Sequence, residues 1–478
     1  MIEKRSAGVL MPIFSLPGEY SSGAFGRDAY AFVDFLAEGG FSYWQVLPFT
    51  ATDAYHSPYA SPSSFSMNPA FIDLEALFNE GVLTAEELSA ARETEAHVCN
   101  YARLSQERFA LLSSAAARFA QDSFLEEFLS AHPYIKEYCV FMALKAANGE
   151  TRWQDFSRYE YAPEVYHTYA FIAYTFLKQW NSLHAYALER GISVIGDLPI
   201  YVSLDSADVY FHRTWFDLDE RGFPRGVAGV PPDYFSENGQ LWGNPLYRWD
   251  RMKEDGYLFW RERIRHMLAL FDGVRLDHFR GFDTYYDIPY GASDARHGVW
   301  REGPRHAIVD VLREEGKGSL LIAEDLGELF PSVTELLDAS GFPGMRVFAF
   351  ALDGEGSPHI PYRYPHNTVA YSGTHDNNTL LGFLMSLPEE RRREYYRYSR
   401  YEGTDPHAGC RAVIETLYAS HAGLLILPIQ DLLLYGADAR FNTPGRAEGN
   451  WEFRVSREAL GTLDLGYFRT LAARYGRL

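Results

Sequence analysis

Short apolar runs recur along the chain, each ending in polar or glycine-rich residues, and longer stretches with helical spacing lie between them. Eight runs have strand length: 8–14, 42–47, 193–198, 273–279, 319–325, 345–350, 368–372 and 424–429. They are continuously apolar rather than alternating. That is the pattern of strands covered on both faces, as in a parallel sheet sheathed by helices. Eight such strands predict a closed α/β architecture, a (β/α)8 TIM barrel, with residues 1–478 forming a single catalytic domain.

The connectors predict helices over 27–38, closing at Gly39-Gly40, and over 165–190, closing at Gly191. Glycine there permits the left-handed residue that ends many helices. The spacing is uneven. Between the second and third strands the chain is far longer than one crossover requires. Thr84-Ala85-Glu86-Glu87 has the form of a capping box, and 101–121 has helical spacing, so 61–170 is expected to form a mostly helical inserted subdomain. Residues 203–247, rich in Gly, Pro, Asp and aromatics, are expected as a long ordered loop over the barrel mouth. No repeat of fixed period is present, which excludes solenoids and propellers.

Charge narrows the function. Asp and Glu number 64 against 44 Lys and Arg, a formal net charge of −20. Such a field repels phosphate backbones and anionic bilayers, so neither nucleic acid nor a membrane is expected as partner. No run approaches the roughly 18 apolar residues of a membrane span, and the N-terminal residues lack a signal-peptide core. The three cysteines (Cys99, Cys139, Cys410) are odd in number and far apart, which suits a reducing, cytoplasmic location. With 33 Tyr, 33 Phe and 9 Trp the chain is aromatic-rich. Most of these rings are expected in the core, and a surplus of Tyr and Trp also suits a cleft that stacks on sugar faces.

Barrel enzymes carry their chemistry at the C-terminal ends of strands. The fourth strand ends Gly273-Val274-Arg275-Leu276-Asp277-His278, placing Arg275 and Asp277 on one face. The arginine would hold the carboxylate ionised, as a nucleophile requires, unless the two only form a buried ion pair. The fifth strand runs into Glu324-Asp325, of which alternation admits one to the mouth. Asp325 would suit a helix cap, leaving Glu324 as a general acid kept protonated by apolar surroundings. After the seventh strand, His375-Asp376 could be metal ligands, a turn or substrate clamps; no further ligands at coordination spacing are evident. Asp197, ending the third strand, could equally be a turn residue.

Strand-end carboxylates at four strands point to glycoside chemistry, in which retaining enzymes hold nucleophile and acid about 5–5.5 Å apart. No strand end carries a lysine for Schiff-base chemistry, and residues 353–357 make a poor phosphate cradle.

Arg275-x-Asp277, Ile322-Ala323-Glu324-Asp325-Leu326-Gly327 and Thr374-His375-Asp376-Asn377 resemble motifs of the retaining α-amylase-like barrels. A narrower likeness lies in Gly196-Asp197-Leu198-Pro199-Ile200-Tyr201-Val202, in Ser57-Pro58-Tyr59, and in 229–235 with 239–245. It extends to Gln430-Asp431-Leu432-Leu433, Asn442-Thr443-Pro444-Gly445 and Gly449-Asn450-Trp451. Together these resemble the 4-α-glucanotransferases called amylomaltases or disproportionating enzymes, glycoside hydrolase family 77, over nearly the whole chain. The resemblance implies transfer of α-1,4-glucan (maltodextrin, from starch or glycogen) segments from a donor to the 4-hydroxyl of an acceptor, through a covalent glucosyl-enzyme. It implies Asp277 as nucleophile, Glu324 as acid/base and Asp376 as transition-state stabiliser. Tyr59, Asp197, Arg275 and His375 would line the same subsite, with Ser57, Asp233, Tyr234, Trp242, Asn442 and Pro444 as further substrate-binding residues. The loop 230–244 is the expected lid, with Tyr234 and Trp242 as stacking surfaces. No cofactor and no metal are implied, no added starch-binding module is expected, and the sequence carries no sign of oligomeric state. A glucan hydrolase on the same barrel and a catalytically inert glucan-binding protein are the alternatives.

Overall fold

Eight short parallel strands form the centre of the computed structural model, which describes residues 2–94, 97–119, 122–232, 237–327, 329–354 and 356–478. They are β1 (Ser6–Leu10), β2 (Tyr43–Gln45), β3 (Ser193–Leu198), β4 (Gly273–Leu276), β5 (Leu320–Ala323), β6 (Gly344–Val347), β7 (Thr368–Tyr371) and β8 (Leu424–Pro428). The order is β6-β7-β8-β1-β2-β3-β4-β5, so neighbours in space are neighbours in sequence and the sheet curls into a barrel. At the seam between β5 and β6, Ala323 N donates to Pro343 O at 2.9 Å. Asp325 reinforces the seam, its carboxylate accepting from Met345 N at 2.6 Å and from Arg346 Nη1 at 2.8 Å. A Cβ at position 344 would lie 2.8 Å from that carboxylate, which accounts for Gly344. The expectation that Asp325 caps a helix is therefore corrected. The next helix, Pro331–Ser340, starts at a proline with Phe330 before it, and Asp325 closes the barrel instead.

The ladders are shorter than the apolar runs because the chain turns away at the strand ends. After β4, His278 takes a left-handed conformation (φ 48°) and residues Phe279–Phe282 coil into a 3-10 turn. Helices cover the barrel, among them Arg27–Glu38, Leu258–Leu270, His306–Glu315, Pro406–Ala419 and Leu465–Arg474.

Between β2 and β3 the chain is helical. The Thr84–Glu87 capping box forms as the sequence predicts, with Thr84 Oγ1 accepting from Glu87 N at 3.2 Å and Glu87 Oε2 accepting from Thr84 N at 2.9 Å. The predicted helix over 101–121 comprises Tyr101–Arg103, a π-turn and Phe109–Arg118; positions 120 and 121 lie outside the described residues. The helix expected from 165 begins at Pro163, since proline's fixed φ and missing N–H suit a first helical turn. It runs through residue 170 to Glu189, so the inserted helices and the barrel's second helix share one element.

The segment 203–247 differs from the loop expected of it. It contains the helix Ala207–Phe211 and the strands Gly226–Val230 and Gln240–Pro245. These strands join Thr284–Pro289 and Val299–Glu302 in an antiparallel four-stranded sheet. Its two halves are distant in sequence, and the Gln240–Pro245 strand is largely exposed, so no alternating apolar pattern announces it.

Most rings serve the core, as expected. Trp44, Trp180 and Trp260 are fully buried, and Phe25, Phe49, Phe71, Phe176, Trp180 and Phe271 interlock as one cluster of buried rings. Among the described residues no helix is long and apolar enough to cross a membrane.

Candidate active site

Register brings the strand-end charges together. Across β3 and β4, Asp197 pairs with Arg275; across β4 and β5, Leu276 pairs with Ala323. The next step along both strands sets Asp277 beside Glu324. The ladder pattern persists there, with Glu324 N donating to Leu276 O at 3.0 Å and Phe279 N to Glu324 O at 3.1 Å. Neighbouring strands run about 4.8 Å apart, so the two carboxyl groups emerge from adjacent strands at the barrel mouth. Glycine precedes Asp197 because a Cβ at 196 would meet the Phe271 ring at 2.2 Å.

Arg275 is the hub. Its Nη1 donates to both oxygens of Asp197 at 2.9 Å and lies 3.0 Å from Asp277 Oδ1. Arg275 and Asp197 are buried, whereas a quarter of the Asp277 side chain (26%) opens to the cleft. Tyr59 closes the ring. Its hydroxyl donates to Asp197 Oδ2 at 2.7 Å and lies 2.9 Å from His375 Nε2. His375 Nε2 is also 3.3 Å from Asp376 Oδ2, so one Nε2–H faces both the phenol oxygen and the carboxylate. Tyr59 is presented by a turn in which Asp53 Oδ1 accepts from Ser57 N and Ser57 Oγ accepts from Tyr59 N at 3.3 Å.

Asp376 sits in loop 373–379 beyond β7. Thr374 N and Oγ1 donate to Asn377 Oδ1 at 2.8 and 2.9 Å, which folds the loop back on itself. From the segment after β8, Asn442 Nδ2 donates to Asp376 Oδ1 at 2.6 Å and Arg440 Nη2 to Asp376 O at 3.0 Å. On the far side, Glu324 accepts from two backbone groups at 2.8 Å, His278 N on Oε2 and Leu326 N on Oε1. The His278 ring meets Trp242 edge to face at 4.9 Å.

The three carboxyl groups differ in proton affinity. Burial pushes Glu324 up to about 7, with Arg275 opposing and the Asp277 charge adding. Burial also pushes Asp277 up, to about 6, against the direct pull of Arg275. The expectation that Arg275 simply holds Asp277 low is thus modified: desolvation outweighs the ion pair. For Asp376 burial works against ionisation, but the His375 charge and hydrogen bond, with Asn442 and Arg275, hold it well below the usual carboxylate range. Burial lowers His375, yet the Asp376 charge and hydrogen bond move it upward on balance. The resulting cleft holds two adjoining carboxyl groups that burial biases toward the protonated form, and one firmly anionic carboxylate.

The structure gathers Tyr59, Asp197, Arg275, Asp277, His375, Asp376 and Asn442 into one hydrogen-bonded set, with Glu324 adjoining. Ser57 shapes the turn under Tyr59, its hydroxyl engaged by Tyr59 N. Pro444 lies exposed at a turn tip, followed by Gly445 at φ 82°, the geometry of a type II turn closed by Arg446 N on Thr443 O. Trp242 is 37% exposed, its indole N–H donating to Gln240 Oε1. Asp233 and Tyr234 lie outside the described residues. Two members were given no site role from the sequence. Arg440 reaches Asp376, and Trp451 (φ 64°) sets its ring 5.8 Å from Tyr59 and 6.0 Å from His375. Both follow β8 in a segment without regular spacing; the Gly449-Asn450-Trp451 motif marked Trp451 without a role, and nothing pointed to Arg440. Among the described residues no group of three or more His, Cys, Asp or Glu is arranged to hold a metal ion.

Residues 11–459 match the sequence profile of a protein family described as 4-alpha-glucanotransferase. The 4-alpha-glucanotransferase of Aquifex aeolicus is 38% identical over 494 residues, spanning 99% of both chains. That of Thermus thermophilus is 39% identical over 485 residues, spanning 94% of this chain and 95% of its own. Among solved structures, the amylomaltase of Streptococcus agalactiae in complex with acarbose superposes with a TM-score of 0.95 at 36% identity, covering 99% of this chain and 100% of that one.

Proposed function

The chain belongs to the 4-alpha-glucanotransferase family and is an enzyme of glucan transfer; on that premise we propose how its cleft performs the reaction. Asp277 attacks the anomeric carbon of the donor glucan while Glu324, still protonated, gives its proton to the departing glycosidic oxygen. The products of this step are a β-glucosyl ester on Asp277 and the free non-reducing end of the leaving chain. Glu324, now a carboxylate, takes the proton of an incoming 4-hydroxyl, whose oxygen displaces Asp277 and restores the α-linkage. Asp376 hydrogen-bonds the distorted sugar in the transition state. Tyr59, Asp197, His375 and Arg275 form the polar collar of the same subsite. Asn442 holds Asp376 and, with Pro444, borders it.

The observation that carries this reading is the pair Asp277 and Glu324, one register step beyond paired strand residues on adjacent strands, with Arg275 3.0 Å from Asp277. In the proposed reaction the pair shares one proton, held by Glu324 while Asp277 attacks. Trp242, partly exposed and packed edge-on against His278, is the stacking surface that shields the glucosyl ester from water while an acceptor sugar binds. The donors and acceptors are maltodextrins derived from starch or glycogen. The three cysteines, all buried and unpaired, support a cytoplasmic location.

Incubation with maltotriose alone, followed by chromatography over time, tests the reading. Glucose together with chains longer than the substrate is the expected result. Glucose and maltose without longer chains would make water the acceptor and overturn the transfer assignment; no products would remove maltodextrins as substrates.

A further inference from the structure

The loop carrying His375 and Asp376 is anchored from the neighbouring strand. Asp431, buried in the short helix Ile429–Leu432 that follows β8, accepts from Ser372 Oγ at 2.5 Å with one oxygen and from Leu380 N at 2.7 Å with the other. Ser372 stands just before loop 373–379, and Leu380 opens the helix Leu380–Ser386 just after it. One carboxylate therefore pins both ends of the loop. Inside the loop, Thr374 folds onto Asn377, and Thr379 Oγ1 accepts from Gly382 N at 3.0 Å. The preceding residue extends the same arrangement: Gln430 Nε2 donates to Ala439 O at 3.0 Å, beside the Arg440 and Asn442 that grip Asp376.

A carboxylate is an expensive group to bury here, because both of its donors are neutral, and burial pushes it up to about 6. What it provides over an amide is two acceptors of fixed separation. An asparagine accepts with one oxygen, and Ser372 would have to reverse its hydroxyl to accept from the amide nitrogen.

We propose that Asp431 is a positioning residue for the transfer reaction, setting the place of Asp376 by fixing both ends of loop 373–379. The inference rests on Asp376 being the carboxylate that holds the reacting sugar. A misplacement of about 1 Å at such a group lowers turnover on the order of 100-fold.

The test compares full-length Asp431→Ala, Asp431→Asn, Ser372→Ala and Asp376→Asn by kcat and KM on maltotriose, each corrected for folded fraction by thermal melting. Asp431→Ala is expected to lose kcat on the order of 100-fold with KM within about twofold, and Asp431→Asn to recover most of that loss. Should Asp431→Ala fail to fold, Ser372→Ala reads the same tie, with a fall in kcat of about tenfold at unchanged KM. A wild-type kcat per folded molecule in Asp431→Ala, or in Ser372→Ala where that variant stands in, alongside an inactive Asp376→Asn, would overturn the positioning role and leave Asp376 standing. Wild-type turnover in Asp376→Asn would instead overturn the role of Asp376, and the inference with it.

Discussion

Replacing Glu324 with glutamine separates its burial from its chemistry. In the folded protein the carboxyl group titrates at about 7 rather than the usual 4.5, chiefly through desolvation. At about 1.4 kcal/mol for each pH unit between the two, its ionised form is disfavoured by about 3 kcal/mol. Because the folded value is the raised one, this contribution to stability is fully present below pH 4.5 and is lost as pH rises through about 7. Glu324→Gln has no proton to lose and keeps its stability across that window. Glutamine also turns one amide N–H toward a backbone N–H, either His278 or Leu326, at a cost of about 1–3 kcal/mol that does not vary with pH. The informative quantity is thus the difference between variant and wild type as a function of pH. Melting followed by circular dichroism from pH 5 to pH 8.5 should show the variant gaining on wild type by a few degrees. A difference that stays flat over this range would mean that Glu324 ionises without penalty, and it could not then serve as the acid at neutral pH.

Other perturbations act on separate parts of the cleft. In kcat/KM on maltotriose against pH, the profile should fall on both sides of a maximum between about 6 and 7, the two limbs belonging to the Asp277–Glu324 pair, and a profile flat from pH 5 to 8.5 would contradict the pairing. Arg275→Met leaves the buried Asp197 carboxylate without its partner and should destabilise the protein by about 3–5 kcal/mol in chemical denaturation; a loss under 1 kcal/mol would contradict the hub role. Asp325→Ala opens the β5–β6 seam and strands Arg346, so the denaturation midpoint should fall by the equivalent of about 3 kcal/mol, and an unchanged midpoint would refute the seam assignment. Trp242→Ala should raise the ratio of hydrolysis to transfer on maltotriose, and an unaltered ratio would remove Trp242 from the lid.

The barrel was legible in the sequence because buried parallel strands leave a simple trace, an unbroken apolar run stopped by charge. All eight strands fall on or overlap the runs that predict them. Arg275 and Asp277 were legible from strand alternation, and Glu324 as one of two carboxylates at a strand end; the register between β4 and β5 is what sets Glu324 beside Asp277. What the sequence withheld depends on contacts between distant segments. Asp325 looks like a helix cap locally, and only the closing of the barrel brings Met345 and Arg346 to it. The antiparallel sheet is assembled from 226–245 and 284–302, with Gly and Pro interrupting any alternation. Arg440 and Trp451 enter from irregular chain after β8, where no periodicity gives direction to a side chain. Proton affinities were half legible: the pull of Arg275 on Asp277 is written in the spacing, but the larger effect of burial is not.

The most direct test is to trap the glucosyl ester. A maltosyl fluoride donor has a leaving group that needs no proton, so the Glu324→Gln enzyme should still form the ester and then, lacking its base, release it slowly. Intact mass spectrometry should show one added maltosyl unit, and peptide mapping should place it on the peptide carrying Asp277 and on that carboxyl group. Attachment at another residue, or full consumption of the fluoride with no added mass at any time, would contradict Asp277 as the nucleophile.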